Sequence, residues 1–346
     1  MRYLESVVGT VLVAGLWVGL AAPAAAATKV IDDPAYTHPQ RMVEIEPGRR
    51  LNLHCTGSGS PTVIFDSGLG DGTAAWALIQ PTISTHVRAC SYDRAGMGFS
   101  DPGRRAGDSA NIVDDLHRLL VAASIKPPYI LVGHSFGGMN VRLYADRHFD
   151  EVVGMVLVDT ADEDWLDYAW TIDQEQNSRE HLYSEVQQGW QQDRDCVAAA
   201  EKGLVEGSEA FKRCVPDADP RYSAAINAAW LKQNRSADHL RAVLSEEESL
   251  RTMSDDEVRT ARRWYGSMPL IVLKSSLITK LGTGETQAHR DAINHLHLWL
   301  IDQYAALSKR GVIRIVPNST HDIQMSQPEA VNAAILEVLD ASSSGN

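Results

Sequence analysis

The sequence predicts an α/β protein, a mostly parallel sheet covered by helices on both faces and interrupted once by a helical insertion. Three observations carry that expectation. Short apolar runs at Thr62–Asp66, 129–134 and 152–159 are nearly continuous, as in strands buried on both faces, and the rhythm resumes with strands at 269–274 and 312–316. Helical spacing alternates with them, clearest at 108–123, where Ile112, Leu116, Leu119 and Leu120 share one face. Residues 161–265 break this rhythm, being rich in Glu, Asp, Gln and Ala with no strand pattern, so they read as several short helices.

Taken in order, residues 1–27 read as a secretory leader: Arg2, an apolar run over 7–20, and four alanines at 24–27 as a cleavage region, with the mature start near Thr28. The run 7–27 is also long enough for an uncleaved anchor; the alanines favour cleavage, and so a secreted or periplasmic protein without stable membrane association. Residues 50–56 alternate like a strand, and Thr62–Asp66 ends in the glycine-rich loop 67–72. A strand at 87–92 runs into the turn-rich segment 93–102. After the insertion come a strand at 269–274, a helix over 285–309, a strand at 312–316 and a final helix over 328–339. The core is thus expected to comprise 28–160 and 266–346, with 161–265 inserted.

The net charge of −13 argues against a nucleic-acid partner. Losing the leader removes one arginine and one glutamate and leaves that charge unchanged. Four cysteines, Cys55, Cys90, Cys196 and Cys214, are expected to pair in an exported chain. They form no C-x-x-C spacing, and His289, His295 and His297 on one helix lack the i, i+4 geometry of a zinc site, so no metal or cofactor is expected.

The chemistry centres on Gly133-His134-Ser135-Phe136-Gly137, where an apolar strand runs straight into a helix. A sharp strand-to-helix turn makes a serine hydroxyl protrude, and small residues two before and two after it relieve the crowding. Ser135 is therefore the expected nucleophile, and His134, inside the turn, a packing residue. A serine needs a base from a loop at the same sheet edge, and His321 lies a few residues past the 312–316 strand. The third member must be a carboxylate that holds the imidazole. The loop after 269–274 contains no acid before Glu285, so Asp159, at the end of the 152–159 strand, is preferred over Glu285, Asp162, Glu163 and Asp164. Oxyanion donors are expected from the backbone N–H groups of Phe136, at a helix N-terminus, and Leu69, between Gly68 and Gly70.

With the elbow at 133–137, the segment Tyr92-Asp-Arg-Ala-Gly-Met-Gly-Phe-Ser-Asp101, the Gly-Leu-Gly loop and the late histidine in this order, the chain resembles a cap-bearing α/β-hydrolase over 41–339, insertion excepted. The resemblance implies an eight-stranded sheet with a helical cap inserted after strand 6. It also implies strands of Cys55 and Cys90 lying side by side, so that these two pair and leave Cys196 with Cys214. Two departures stand out: Asp66-Ser67-Gly68 replaces the His-Gly that relatives often carry, and no acid follows the 269–274 strand. Related epoxide hydrolases and haloalkane dehalogenases use an aspartate where this chain has Ser135. The expected activity is hydrolysis of a small-molecule carboxylic ester. Amide, lactone or thioester cleavage and a slow-turnover receptor are the alternatives. Trp165, Trp170, Trp190, Trp230 and Trp264 fall in the insertion, where they line an apolar acyl or aryl pocket or form the insertion's own core.

Overall fold

The computed structural model describes residues 30–169, 171–172, 179–276 and 286–343. The expected leader, Trp170 and Glu285 lie outside them. Strands β1 (Arg41–Glu46), β2 (Arg49–Thr56), β3 (Thr62–Asp66), β4 (Ala89–Tyr92), β5 (Tyr129–His134), β6 (Val152–Val158), β7 (Leu270–Lys274) and β8 (Gly311–Ile315) form one sheet in the order β1-β2-β4-β3-β5-β6-β7-β8. The pairs β1–β2 and β2–β4 are antiparallel, and all others are parallel. Helices α1 (Gln80–Ile83), α2 (Ser109–Ala122) and α3 (Phe136–Arg147) precede β6. Between β6 and β7 come α4 (Trp165–Ala169), α5 (Arg179–Glu201), α6 (Glu209–Cys214), α7 (Ala224–Asn234), α8 (Ala237–Leu250) and α9 (Met253–Ala261), and no strand intervenes among the described residues. Helix α10 (Gln287–Ala305) joins β7 to β8, and α11 (Ile323–Ser326) and α12 (Pro328–Ser343) end the described chain.

Because successive strand side chains point to opposite faces, the apolar runs divide between two cores. Ile64, Leu131, Met155, Leu157, Leu270 and Val272 pack on one face with α2, α3 and α10. Val63, Phe65, Val132, Val156, Ile271 and Leu273 pack on the other with α1 and α12. Every residue of β3 and β5 is buried, which explains their uninterrupted apolar sequence.

The edge strand β1 escapes the periodicity reading. Of its residues only Val43 is buried, and the strand also carries the charged Arg41, Glu44 and Glu46, a pattern suited to an exposed edge. The local signal is the turn at Pro47-Gly48, with Gly48 at φ 71°.

Helix starts follow cap chemistry: Asp108, Ser208, Ser223, Ser236 and Thr286 each accept a backbone N–H at the first turn of α2, α6, α7, α8 and α10. Cys55 and Cys90 are direct register partners on β2 and β4, with Cα atoms 4.1 Å apart, and are disulfide-bonded. Cys196 of α5 pairs with Cys214 of α6, beside buried Leu240. Both pairings agree with those implied by the sequence resemblance, and two disulfides suit a compartment outside the reducing cytosol. Among the described residues no helix is long and apolar enough to cross a membrane.

The parallel strands share one direction, so the loops after β3, β5, β6, β7 and β8 emerge at one sheet edge.

Candidate active site

At that edge β5 turns into α3 through Ser135, whose backbone sits at φ 50°, ψ −120°. Such a conformation costs about 1–3 kcal/mol and persists only where its surroundings enforce it. Here the Ser135 N–H donates to the Val158 carbonyl at 3.1 Å, and its carbonyl accepts from Gly138 and Ala161, both at 2.9 Å. Glycine is needed on either side: a Cβ on Gly133 would collide with the Gly137 carbonyl, and one on Gly137 with the Asp66 carbonyl. The result is selective exposure, since within 129–145 Ser135 alone is not buried.

Asp159, one residue past β6, has φ 41° and a side chain only 6% exposed. Its Oδ2 accepts from His321 Nδ1 at 2.7 Å and from Ser275 Oγ at 2.9 Å. Its Oδ1 accepts from Lys274 Nζ at 2.6 Å and from the Ser275 N–H at 3.1 Å. Burial alone would raise this carboxyl, but the His321 hydrogen bond and the Lys274 ammonium outweigh it and hold it well below the usual carboxylate range. For His321 the balance runs the other way. Burial would lower it, yet the bond to Asp159 and that carboxylate's charge raise it above the ordinary value of 6.5. With Nδ1 committed to Asp159, Nε2 is the ring nitrogen left to take up a proton.

His134 packs against His321, with ring centroids 4.7 Å apart and Nε2 3.2 Å from the His321 carbonyl oxygen. Burial and the neighbouring His321 push it down to about 3, so it adds no charge beside His321.

Among the described residues, the other acids weighed for the third position are engaged elsewhere. Glu163 forms a fork with Arg142 at 2.8 and 2.5 Å and also binds Arg262. Asp164 binds Arg259 and Arg262, and Asp162 accepts the Asp164 N–H. Where many relatives place the acid, at the end of β7, this chain has Lys274 and Ser275, both donors to Asp159. Sequence reading missed these two, since their partner lies 115 and 116 residues away.

Leu69 lies in the loop after β3 and Phe136 opens α3; among the described residues neither N–H has an acceptor. The same loop carries Asp71, which burial and the nearby Asp322 raise to about 7. Of the insertion's tryptophans, Trp165 stacks on His297 at 4.4 Å, and burial followed by the Lys274 charge pushes His297 down to about 4. Trp190 instead donates to the Glu247 carbonyl within the insertion, and Trp264 is 52% exposed.

A second group, His117, His148 and Glu151, brings three ligand-type atoms within 4.8 Å of one another. Its two imidazoles are stacked at 4.1 Å with planes only 7° apart. A metal lies in the plane of each ligating ring, and two such near-parallel planes share no point between them.

Curated proteins match this chain in sequence, and solved structures match it in fold. The chain is 36% identical over 108 residues to an uncharacterized protein of Bacillus subtilis, a match spanning 31% of this chain and 43% of that one. It is 35% identical to a 2-hydroxymuconate semialdehyde hydrolase of Pseudomonas sp. over 34% of this chain and 42% of that one. A longer match, 22% identical, covers 81% of this chain and 86% of an AB hydrolase superfamily protein of Gibberella zeae. The first relatives are thus matched over less than half of their length. The fold superposes on the epoxide hydrolase CorEH with a TM-score of 0.57 at 16% identity, covering 88% of this chain and 98% of that one. The family model for the alpha/beta hydrolase family matches residues 63–334, and the chain belongs to that family.

Proposed function

We propose that the protein is a secreted serine hydrolase that cleaves carboxylic esters. The observation that carries this reading is the 2.7 Å contact between His321 Nδ1 and Asp159 Oδ2 at the sheet edge that presents Ser135. Ser135 Oγ attacks the ester carbonyl and passes its proton to His321 Nε2. The developing oxyanion takes the N–H groups of Leu69 and Phe136. Collapse breaks the C–O bond, the imidazolium protonates the departing alcohol, and an acyl-Ser135 remains. His321 then takes a proton from water, the hydroxide displaces the acyl group as a carboxylic acid, and Ser135 recovers its proton. Asp159 stays ionised throughout and holds the ring. Secretion is supported by the two disulfides and by the leader pattern at 1–27.

Serine at the elbow disfavours the epoxide chemistry named for CorEH, because the family resemblance implies an aspartate there in such enzymes and this chain has Ser135. A second reading comes from the Pseudomonas relative, named for hydrolysis of 2-hydroxymuconate semialdehyde: hydrolysis of such a compound by the same residues. Turnover of p-nitrophenyl esters of increasing acyl length, set beside 2-hydroxymuconate semialdehyde, separates the two. Ester turnover lost in Ser135→Ala is expected; turnover of the semialdehyde alone would replace ester cleavage with the second reading.

A further inference from the structure

Arg94, two residues past β4, is 3% exposed at its side chain and uses all five of its guanidinium N–H donors. Nη1 donates to Asp66 Oδ1 at 2.8 Å and to the Ser67 carbonyl at 2.7 Å. Nη2 donates to the Gly68 carbonyl at 2.6 Å and to Glu246 Oε2 at 2.9 Å, and Nε donates to Glu246 Oε1 at 2.7 Å. Glu246, on α8, also accepts the Gly70 N–H at 3.1 Å. The loop is therefore held at the carbonyls of Ser67 and Gly68 and at the amide of Gly70.

One N–H in that stretch is thereby aimed without being touched. The Gly68 carbonyl and the Leu69 N–H belong to the same trans peptide plane and point in opposite directions. Fixing the Gly68 oxygen on Arg94 turns the Leu69 N–H away from Arg94. The Arg94 guanidinium also lies 5.8 Å from the ring centroid of Phe136, the residue supplying the second donor. Glu246 matters because a carboxylate is the only partner of Arg94 contributed by the segment between β6 and β7 among the described residues.

We propose that Glu246, acting through Arg94, sets the direction of the Leu69 N–H, so that the seat of α8 governs oxyanion stabilisation at Ser135. Both are positioning residues rather than catalytic ones, and the proposal rests on the serine-hydrolase reading above. Movement of α8 away from the sheet would leave Arg94 without Glu246 and free the loop, which links access beneath the helical segment to the strength of the oxyanion site.

The test is Glu246→Gln, with kcat and KM measured on a p-nitrophenyl ester together with the affinity for an alkyl boronic acid. The boronate's tetrahedral adduct with Ser135 places an oxygen where the oxyanion forms. Glutamine offers an amide N–H toward the guanidinium where a carboxylate oxygen accepted two bonds. Losing one oxyanion donor costs about 10²–10³ in kcat, so kcat should fall toward that range, boronate affinity should fall with it, and KM should stay within about threefold. Glu246→Asp should fall between Glu246→Gln and wild type, Arg94→Lys, which loses the fork that holds the Ser67 and Gly68 carbonyls, should lose at least as much kcat as Glu246→Gln, and both carry the same readouts if Glu246→Gln does not fold. Glu163→Gln is the control, because it breaks another buried ion pair of the same segment away from the loop and should keep kcat within about threefold. Unchanged kcat and boronate affinity in Glu246→Gln, or an equal loss in Glu163→Gln, would overturn the proposal. A wild type that neither turns over esters nor reacts at Ser135 would bring down the hydrolase reading itself, whereas an active wild type with an indifferent Glu246→Gln brings down the proposal alone.

Discussion

Two buried arginine clusters tie the segment between β6 and β7 to the core, and they differ in what they hold. Arg94 ends on backbone carbonyls of the loop beside Ser135 and on Glu246 of α8. Arg142, on α3, ends on side chains: its fork meets Glu163, whose other oxygen bonds come from Arg262 and from the Tyr304 hydroxyl at 2.9 Å, and its guanidinium lies 3.9 Å from the Tyr304 ring centroid. Arg94 has a partner for every donor, whereas Arg142 leaves Nε unpartnered among the described residues. A cluster that grips backbone can aim a peptide group, and one that grips side chains can only fasten elements together. Buried charge therefore serves orientation at one seam and attachment at the other.

Substitutions that touch either seam alone sharpen this contrast, and the site between them sets the upper bound of the effect. Asp159→Asn should lower kcat by about 10⁴-fold per folded molecule through loss of the correct imidazole tautomer, read in steady-state kinetics. The attachment seam should behave in the opposite way. Glu163→Gln leaves Arg142 buried without its carboxylate and should destabilise the fold by about 3–5 kcal/mol in urea unfolding, with the rate per folded molecule preserved. A comparable loss of kcat there would erase the distinction between the two seams.

The smallest effect is a shift in pH. His321 must be neutral to act as base, and its folded value lies above 6.5, so kcat/KM should decline as pH falls through a midpoint above 6.5. Because the folded value is raised, the stability His321 contributes is full below the unfolded pKa and is lost as pH rises through the folded one. Lys274 opposes protonation of His321, so Lys274→Met should move the acid limb of the kcat/KM profile upward. A limb that stays in place would show that Lys274 only fastens β7 to β6.

What was legible in the sequence follows the same division. β3, β5, β6 and β7 could be read because burial on both faces leaves an apolar run that needs no knowledge of neighbours. β1 could not, because an edge strand with one buried residue has no such run. The strained turn at Ser135 and the loop position of His321 were visible in local patterns of glycine and strand ends. Asp159 was visible only as the acid at a strand end, and its contact with His321 depends on β6, β7 and β8 lying next to one another in the sheet. Arg94 with Glu246, 152 residues apart, left no local signal, because a polar helix in the insertion looks the same whether its glutamate faces water or a guanidinium.

The central claim is that Ser135 is the nucleophile of a serine hydrolase. The most direct measurement is reaction of the full chain with a fluorophosphonate, followed by intact mass and peptide mapping. One adduct per chain on the peptide containing Ser135, absent from both Ser135→Ala and the denatured protein, is the predicted result. An unlabelled native protein, or an adduct mapping to another residue, would contradict the account.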